Sequence, residues 1–345
     1  MNSINPTENF IVNTMVNHNG TFATYLKEND EQDSDLVKGK ESISESLGLW
    51  LQYAVEKKDE ELFRQGYLQL EGNFMNDEGL IYWKLDPSGK KLVTTNALVD
   101  DLRIIEALCE AGELWKEERY EETATTISQY LLEHNRNEEL LVDYYDETYQ
   151  LNSKMLTLSY INTSALEEMK KRHLVDVKLY ENMMKTLNEI PSQNGFYAKS
   201  YDVVNKKYLF DEQINMIDQM IIALHQAEDG MKTDSFYLFL KNQFLENGVI
   251  YGRYTRETHM PSVTYESPSV YGFAILYCLE IGDEDFAESL YRRMIAFREK
   301  NKDNQFYGGY SINSKGDTHI FDNLVPLLAE ETLVNQGVVD GRHSQ

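Results

Sequence analysis

Two kinds of helical run alternate along the chain. One kind is apolar on nearly every side, as in residues 271–279, and the other keeps a charged face, as in residues 118–134. In a helical ring, the inner helices are typically buried on all sides and the outer helices have one solvent-exposed face. Short Gly- and Tyr-rich segments precede the apolar runs and recur about every 60 residues, at 19–25, 78–83, 141–145, 194–197, 247–251 and 306–310.

The spacing of apolar residues predicts where each helix begins and ends. The inner helices are predicted at 44–56, 97–115, 164–172, 215–228, 269–281 and 321–334. Their outer partners are predicted at 59–73, 118–134, 176–189, 234–246 and 285–300. The sixth inner helix then needs its partner from the N-terminal run at 9–16.

A fixed period of this length is typical of repeat architectures. Six helical hairpins predict an all-α fold, an (α/α)6 barrel of six inner and six outer helices. Short aromatic-rich hairpins or loops are expected at one rim. The sequence contains no low-complexity stretch or linker, so we expect a single catalytic domain over residues 1–345.

Charge and hydropathy narrow the classes of partner. The formal net charge is −25, and such a surface repels phosphate backbones, which argues against nucleic-acid binding. No apolar stretch reaches the roughly 18 residues that a membrane span requires. The seven His residues form no close pair, and no nucleotide-binding pattern occurs, so we expect neither metal nor cofactor.

Acidic residues stand at the start of three apolar helices. They are Glu45, the pair Asp100 and Asp101, and Asp218. One such acid alone is equally explained by the favourable interaction of a carboxylate with a helix N-terminus. Equivalent positions in a repeat, however, meet at one rim, which packing does not require.

Paired carboxylates have a specific use in cleaving glycosidic bonds. One acid protonates the leaving oxygen, and the other activates water or attacks the sugar. Aromatic rings near such a pair stack on the apolar faces of sugars, although core packing is the alternative for each ring. The candidate sugar-binding aromatics are Trp50, Tyr82, Trp83, Tyr160, Tyr197, Tyr265 and Tyr271.

Four segments resemble motifs of glycoside hydrolase family 8. Residues 44–49 read Ser-Glu-Ser-Leu-Gly-Leu and resemble the segment with that family's general acid, which implies this role for Glu45. Residues 158–161 resemble its Pro-Ser-Tyr-Phe segment. Residues 217–221 resemble its Tyr-Asp-Ala-x-Arg segment, which implies that Asp218 is the base, although the Arg is missing. A longer signature is matched in register by Ala97, Asp101, Ile104, Ala107, Ala111 and Trp115.

One departure from the family concerns the sugar site. The first Asp of the long signature, which contributes to the sugar site beside the cleaved bond, is Val99 here. Asp101, with Asp100 as a further candidate, is expected to take over sugar positioning. The resemblance implies an inverting hydrolase, whose two carboxyl groups stand roughly 6.5–9.5 Å apart.

The resemblance leaves several functions open. The leading expectation is endo-cleavage of a β-1,4-linked glucan-like chain or exopolysaccharide, and the alternative is α-glucan hydrolysis as in the related family 126. A binding protein without catalysis and a uronide-specific enzyme are the rivals. We expect a monomer whose partner is a polysaccharide or oligosaccharide. A secreted or cell-surface location with a separate leader is favoured over the cytoplasm.

Overall fold

The computed structural model describes residues 5–28 and 36–340. These residues form helices joined by short loops and small hairpins. The helices are α1 (Pro6–Thr14), α2 (Ser44–Glu56), α3 (Glu60–Gln69), α4 (Leu98–Trp115), α5 (Glu118–His134), α6 (Thr163–Lys171), α7 (Val177–Asn188), α8 (Met216–Glu228), α9 (Asp234–Asn247), α10 (Pro268–Glu280), α11 (Glu284–Met294) and α12 (Phe321–Asn335). A π-helical turn (Leu70–Phe74) extends α3, and 3₁₀ turns occur at Leu158–Tyr160 and Ile295–Phe297.

The strands are two or three residues long and pair antiparallel. They are β1 (Ser42–Ile43), β2 (Lys84–Leu85), β3 (Arg136–Asn137), β4 (Leu140–Leu141), β5 (Tyr145–Asp146), β6 (Leu151–Asn152), β7 (Met155–Thr157), β8 (Ser192–Gln193), β9 (Phe196–Tyr197), β10 (Ser200–Asp202), β11 (Lys207–Leu209), β12 (Gln213–Asn215) and β13 (Arg253–Thr255). The ladders are β1–β2, β3–β4, β5–β6, β8–β9, β12–β13 and the three-stranded β7–β10–β11.

Contacts divide the chain into two compact units. The first unit takes the described residues of Met1–Met75, Tyr82–Val93 and Ser267–Gln345, and the second takes Asn76–Ile81 and Thr94–Glu266. In the first unit, α12 packs against α1, α2 and α10, while α2 packs on α3 and α10 on α11. In the second unit, α4 packs on α5 and α6, and α8 packs on α6 and α7. The expectation of one catalytic domain stays a prediction.

The predicted helices agree closely with the observed ones. Helices α2 and α5 have the predicted bounds, and most others differ by one or two residues. The packing of α1 against α12 confirms that the N-terminal helix is a partner of the sixth inner helix. Within the described residues, no helix combines the length and the apolar character needed to cross a membrane.

The predicted end of α11 at residue 300 is wrong. The helix ends at Met294, and the backbone of Arg298 pairs with Tyr310 as an isolated bridge. Glu299 then exchanges hydrogen bonds with the glycine segment, from its N–H to Gly309 and from the Gly308 N–H to its carbonyl. These long-range bonds draw residues 298–300 out of the helical path, which helical periodicity does not reveal.

The N-terminal helix begins three residues earlier than predicted, at Pro6. The Asn5 side chain accepts a hydrogen bond from the Thr7 N–H at 2.8 Å. Proline at the first helical position needs no donor and has the right backbone angle for a helix start. A side-chain cap followed by proline is therefore the local signal that fixes this boundary.

A buried carboxylate ties the first and last segments of the first unit together. Glu330 on α12 is 2% exposed and pairs with the guanidinium of Arg298 at 3.0 Å. It also accepts hydrogen bonds from Tyr310 and from the amide of Asn5, the latter at 3.2 Å. A buried charge is tolerated only with such partners, so Glu330 fixes the positions of three separate chain segments.

A second buried polar cluster joins α4, α6 and α8 in the second unit. Asn162 caps α6, and its amide donates to Glu106 at 2.8 Å. On α8, His225 and Glu228 form a pair at 2.7 Å. Burial, and then the charge of Glu228, raises the pKa of Glu106 to about 7. The folded protein therefore favours the protonated form of this side chain.

This raised pKa predicts a pH-dependent gain of stability in Glu106→Gln. The folded state binds the Glu106 proton more tightly than the unfolded chain, so the contribution of Glu106 to stability falls as pH rises from about 4.5 to about 7. Glutamine keeps an acceptor for Asn162 and loses the charge. Urea unfolding at pH 5 and pH 8 should show the variant gaining roughly 2 kcal/mol on wild type at the higher pH. Glu122→Gln, at an exposed acid on α5, is the control, and equal pH dependence in all three proteins would contradict the prediction.

Candidate active site

Glu45 lies in the first turn of α2, in the first unit. The preceding residue Ser44 donates its N–H to the Trp83 carbonyl at 3.0 Å, and β1 pairs with β2 just before the helix. Ser44 and Ser46 are buried, whereas Glu45 is half-buried. The helix start carries no side-chain cap on Ile43, so its N-terminal partial charge favours a carboxylate in the first turn.

Asp218 lies in the first turn of α8, in the second unit, and interacts directly with a hydroxyl group. The Ser159 hydroxyl donates to Asp218 Oδ1 at 3.0 Å. Burial raises the pKa of Asp218, while the Ser159 hydrogen bond and the charges of Lys199 and Arg253 lower it. Burial is the largest effect, so this carboxylate is more basic than an exposed Asp, as a general base requires.

Asp101 is held in a buried amide cluster in the second unit. The Asn96 amide donates to Asp101 Oδ2 at 2.6 Å and to Asn135 Oδ1 at 2.9 Å. Among the described residues, Asp101 Oδ1 is buried without a hydrogen-bond partner. Burial raises the pKa of Asp101 well above its usual range. Its neighbour Asp100 instead pairs with Arg103 at 3.3 Å.

A chain of hydrogen bonds links the starts of α4 and α8 within the second unit. The first residue of α4, Leu98, donates its N–H to the Asp143 carbonyl at 2.9 Å. The Asp143 carboxylate in turn accepts from the N–H and the hydroxyl of Thr157. Thr157 leads directly into the turn with Ser159, which bonds Asp218. These hydrogen bonds thus connect the regions of Asp101 and Asp218 within the second unit.

Three of the candidate aromatics are not fully buried. Trp83 and Tyr160 are half-buried, and Tyr265 is 52% exposed. The Tyr265 ring lies against the bare backbone of Gly252, where a Cβ would stand only 2.4 Å from the ring. Tyr265 is the most exposed of the three, whereas the Lys84 ammonium lies 5.0 Å from the centre of the Trp83 ring.

Trp50 and Tyr271 are core residues, which corrects the expectation that their rings are open to sugars. Trp50 is 2% exposed and donates its indole N–H to the Leu62 carbonyl of α3 at 3.3 Å. Tyr271 is fully buried and stacks on Phe297. Their rings fill the helix interfaces, and the sequence alone could not separate this role from stacking.

Tyr82 and Tyr197 are also buried. The Tyr82 hydroxyl accepts from the Lys91 ammonium at 2.9 Å, and the same ammonium lies 4.2 Å from the ring centre. Tyr197 packs on Phe236 with ring centres 5.7 Å apart. Both side chains are more buried than Trp83, Tyr160 and Tyr265, so they are weaker candidates for sugar stacking.

The structure adds three polar residues that the sequence analysis did not assign. Ser159 bonds Asp218, Asn96 bonds Asp101, and Asp143 joins the two regions. Ser159 lies within one motif segment and Asn96 directly precedes another, which is a usable signal. Asp143 lies between two hairpins, and only the fold shows its contact with Thr157.

Comparison with known proteins identifies the family. Residues 24–198 match the family model described as Glycosyl hydrolases family 8, so the chain belongs to this family. The chain is also 35% identical over 337 residues to the Putative lipoprotein YdaJ of Bacillus subtilis (strain 168). That match spans 97% of this chain and 89% of the relative.

Solved structures with the same architecture agree with this assignment. An alpha-amylase from Clostridium perfringens superposes with a TM-score of 0.85 at 26% identity, covering 95% of this chain and 96% of the other. PssZ from Listeria monocytogenes gives 0.75 at 25% identity, covering 94% and 96%. Family 8 endoglucanases share the fold. The protein is thus an all-α (α/α)6-barrel glycoside hydrolase, and the resemblance inferred from the motifs is confirmed.

Proposed function

We propose that this enzyme hydrolyses a polysaccharide with inversion, with Glu45 as general acid and Asp218 as general base. The observation that carries the proposal is the contact of Asp218 with the Ser159 hydroxyl, in a chain of family 8. Ser159 belongs to one family-like segment and Asp218 to another. Their direct contact supports both motif assignments together.

The proposed reaction divides the work between the two acids. Glu45 donates a proton to the departing glycosidic oxygen, so the leaving group departs as a neutral alcohol. Asp218 takes a proton from the water that attacks the anomeric carbon from the opposite face. The basicity that burial gives Asp218 favours this proton transfer. Inverting glycosidases in general use two carboxyl groups roughly 6.5–9.5 Å apart, which leaves room for the attacking water.

Asp101 is proposed to position the sugar beside the cleaved bond. Asp101 is 1% exposed and its Oδ1 is sealed from solvent, so the proposed role is to hold the Asn96 amide beside the site rather than to touch the sugar itself. Val99 stands where the family has a carboxylate, and an apolar side chain cannot make a polar contact there. The acid proposed for this positioning role therefore lies two positions along α4, whereas Asp100 pairs with Arg103.

The proposed substrate is a β-1,4-linked glucan-like chain or an exopolysaccharide, cut internally. Membership of family 8 and the shared fold of endoglucanases support it. The relative named a putative lipoprotein supports a secreted or cell-surface location, where such polymers occur. The second candidate is α-glucan hydrolysis, which the similarity to the Clostridium perfringens alpha-amylase favours.

A reducing-end assay on a polymer panel tests the substrate. The panel contains soluble β-1,4-glucan, chitosan, xylan, amylose and glycogen. We expect cleavage of one β-linked polymer, with a rapid fall in viscosity that marks internal cutting. NMR of the first product should show the anomer opposite to that of the substrate linkage. Cleavage of amylose or glycogen would replace the β-glycan proposal by the second candidate, and retention of configuration would overturn the inverting mechanism.

A further inference from the structure

His319 precedes α12 in the first unit and has one ring nitrogen already engaged. Its Nδ1 accepts a hydrogen bond from the Phe321 N–H at 3.0 Å. An imidazole nitrogen that accepts a bond carries no proton, so the neutral ring must carry its proton on Nε2. The local backbone therefore fixes this residue as an Nε2–H donor.

The neighbours of the ring keep it neutral and hold it in place. Tyr25 meets it edge to face at 4.8 Å between ring centres, and Phe321 lies at 6.4 Å. Burial lowers the pKa of His319, against the opposing charges of Asp322 and Asp317. Asp322 accepts bonds from two serine hydroxyls, and Asp317 accepts from backbone N–H groups.

The Nε2–H group itself remains available. Within residues 5–28 and 36–340, it has no hydrogen-bond partner, yet it is not among the polar atoms sealed from solvent. The residue as a whole is half-buried. A donor that is fixed in direction, neutral and open on one side is suited to bind a neutral oxygen such as a sugar hydroxyl.

His319 and Glu45 lie at the same end of the first unit. The segment with Thr24 accepts the Ile320 N–H at 2.8 Å and donates to the Glu41 carbonyl at 3.0 Å. It thus bridges the residues that lead into α12 and those that lead into α2. Because α2 and α12 also pack against each other, both helices start beside the same bridging segment.

We propose that His319 binds a hydroxyl oxygen of the sugar chain through Nε2–H, at the end of the first unit where Glu45 lies. This rests on the proposed function, since it takes Glu45 to mark the substrate path. The contrasting role is purely structural, a cap on the first turn of α12 through Nδ1. The two roles use different ring nitrogens and can be separated by substitution.

Two substitutions separate the roles. In His319→Asn, the Oδ1 can accept the N–H two residues on, as the side chains of Asn215 and Asn5 do in this chain at 3.0 and 2.8 Å. The asparagine side chain is too short to place a donor where the His319 Nε2–H lies. In His319→Phe, the ring remains beside Tyr25, but both the cap and the donor are lost.

Affinity and turnover are measured for both variants with the glycan that wild type cleaves. Calorimetric titration in the Glu45→Gln background gives binding without turnover, and steady-state kinetics in the wild-type background separates KM from kcat. We expect both variants to bind about 2- to 12-fold more weakly, the range of one neutral hydrogen bond, mainly through KM. His319→Asn should keep the melting temperature of wild type.

Wild-type affinity in His319→Asn, with only His319→Phe impaired, would reduce the residue to a helix cap and overturn the inference. In that case the glycan is still cleaved and the proposed function stands. If wild type cleaves no glycan and Glu45→Gln binds none, the proposed function fails and the inference fails with it.

Discussion

Replacing Glu45 by glutamine should lower kcat by about 10²–10⁴-fold on the natural polymer, the usual contribution of a positioned general acid. Glutamine has nearly the same shape but no proton to donate. Glu45 is half-buried in the first turn of α2, so the change should leave the fold and the binding of oligosaccharides intact. Initial rates on the best polymer of the panel, with calorimetric titration of an oligosaccharide, measure the two quantities.

The leaving group provides a sharper test of the Glu45 role. An aryl oligosaccharide that releases an acidic phenol needs little protonation, so Glu45→Gln should recover most of its rate on it. Glu56→Gln is the matched control, because Glu56 stands at the other end of the same helix and its carboxylate accepts a hydrogen bond from the Asn335 amide. Wild-type activity in Glu45→Gln, or a loss that does not depend on the leaving group, would remove Glu45 from acid catalysis.

The second large effect is expected for Asp218→Asn. Asparagine can still accept the Ser159 hydroxyl but cannot take a proton from water, so kcat should also fall by about 10²–10⁴-fold. The loss should persist on the aryl substrate, because the base acts on the nucleophile and not on the leaving group. This contrast between the two variants distinguishes the base from the acid without a bound ligand.

Ser159→Ala should change the same step as Asp218→Asn, with a smaller effect. The Ser159 hydrogen bond lowers the pKa of Asp218, so its removal should raise that pKa further. The base must be ionised to act, so the acidic limb of the pH–rate profile should move to higher pH while the plateau is largely retained. An unchanged acidic limb in Ser159→Ala, together with an active Asp218→Asn, would show that another residue is the base.

The helices were predictable because their signal is local. A run that is apolar all round, such as α10, or amphipathic, such as α5, carries its own boundaries in its side chains. The end of α11 was not predictable, since Arg298 leaves the helix to reach Tyr310 and Glu330. Those partners are distant in sequence, and no residue near Met294 indicates that the helix ends there.

The candidate site was predictable in its acids but not in their environments. Glu45 and Asp218 stand in recognisable segments, yet the raised pKa of Asp218 depends on burial that only the fold creates. For the same reason, the sequence could not separate the buried candidate aromatics from the exposed ones. Tyr271 and Tyr265 look alike in sequence, but one is fully buried and the other is 52% exposed.

The discontinuity of the first unit has a consequence for synthesis on the ribosome. The second unit is almost one continuous stretch, Thr94–Glu266, and it emerges before Ser267–Gln345. The first unit cannot be completed until its C-terminal part arrives, because Asn5 near the start of the chain bonds Glu330 near its end. Until then, apolar α2, made early, lacks its partner α12. Nascent chains therefore pass through a stage in which α2 needs protection from aggregation, which is when chaperones would bind.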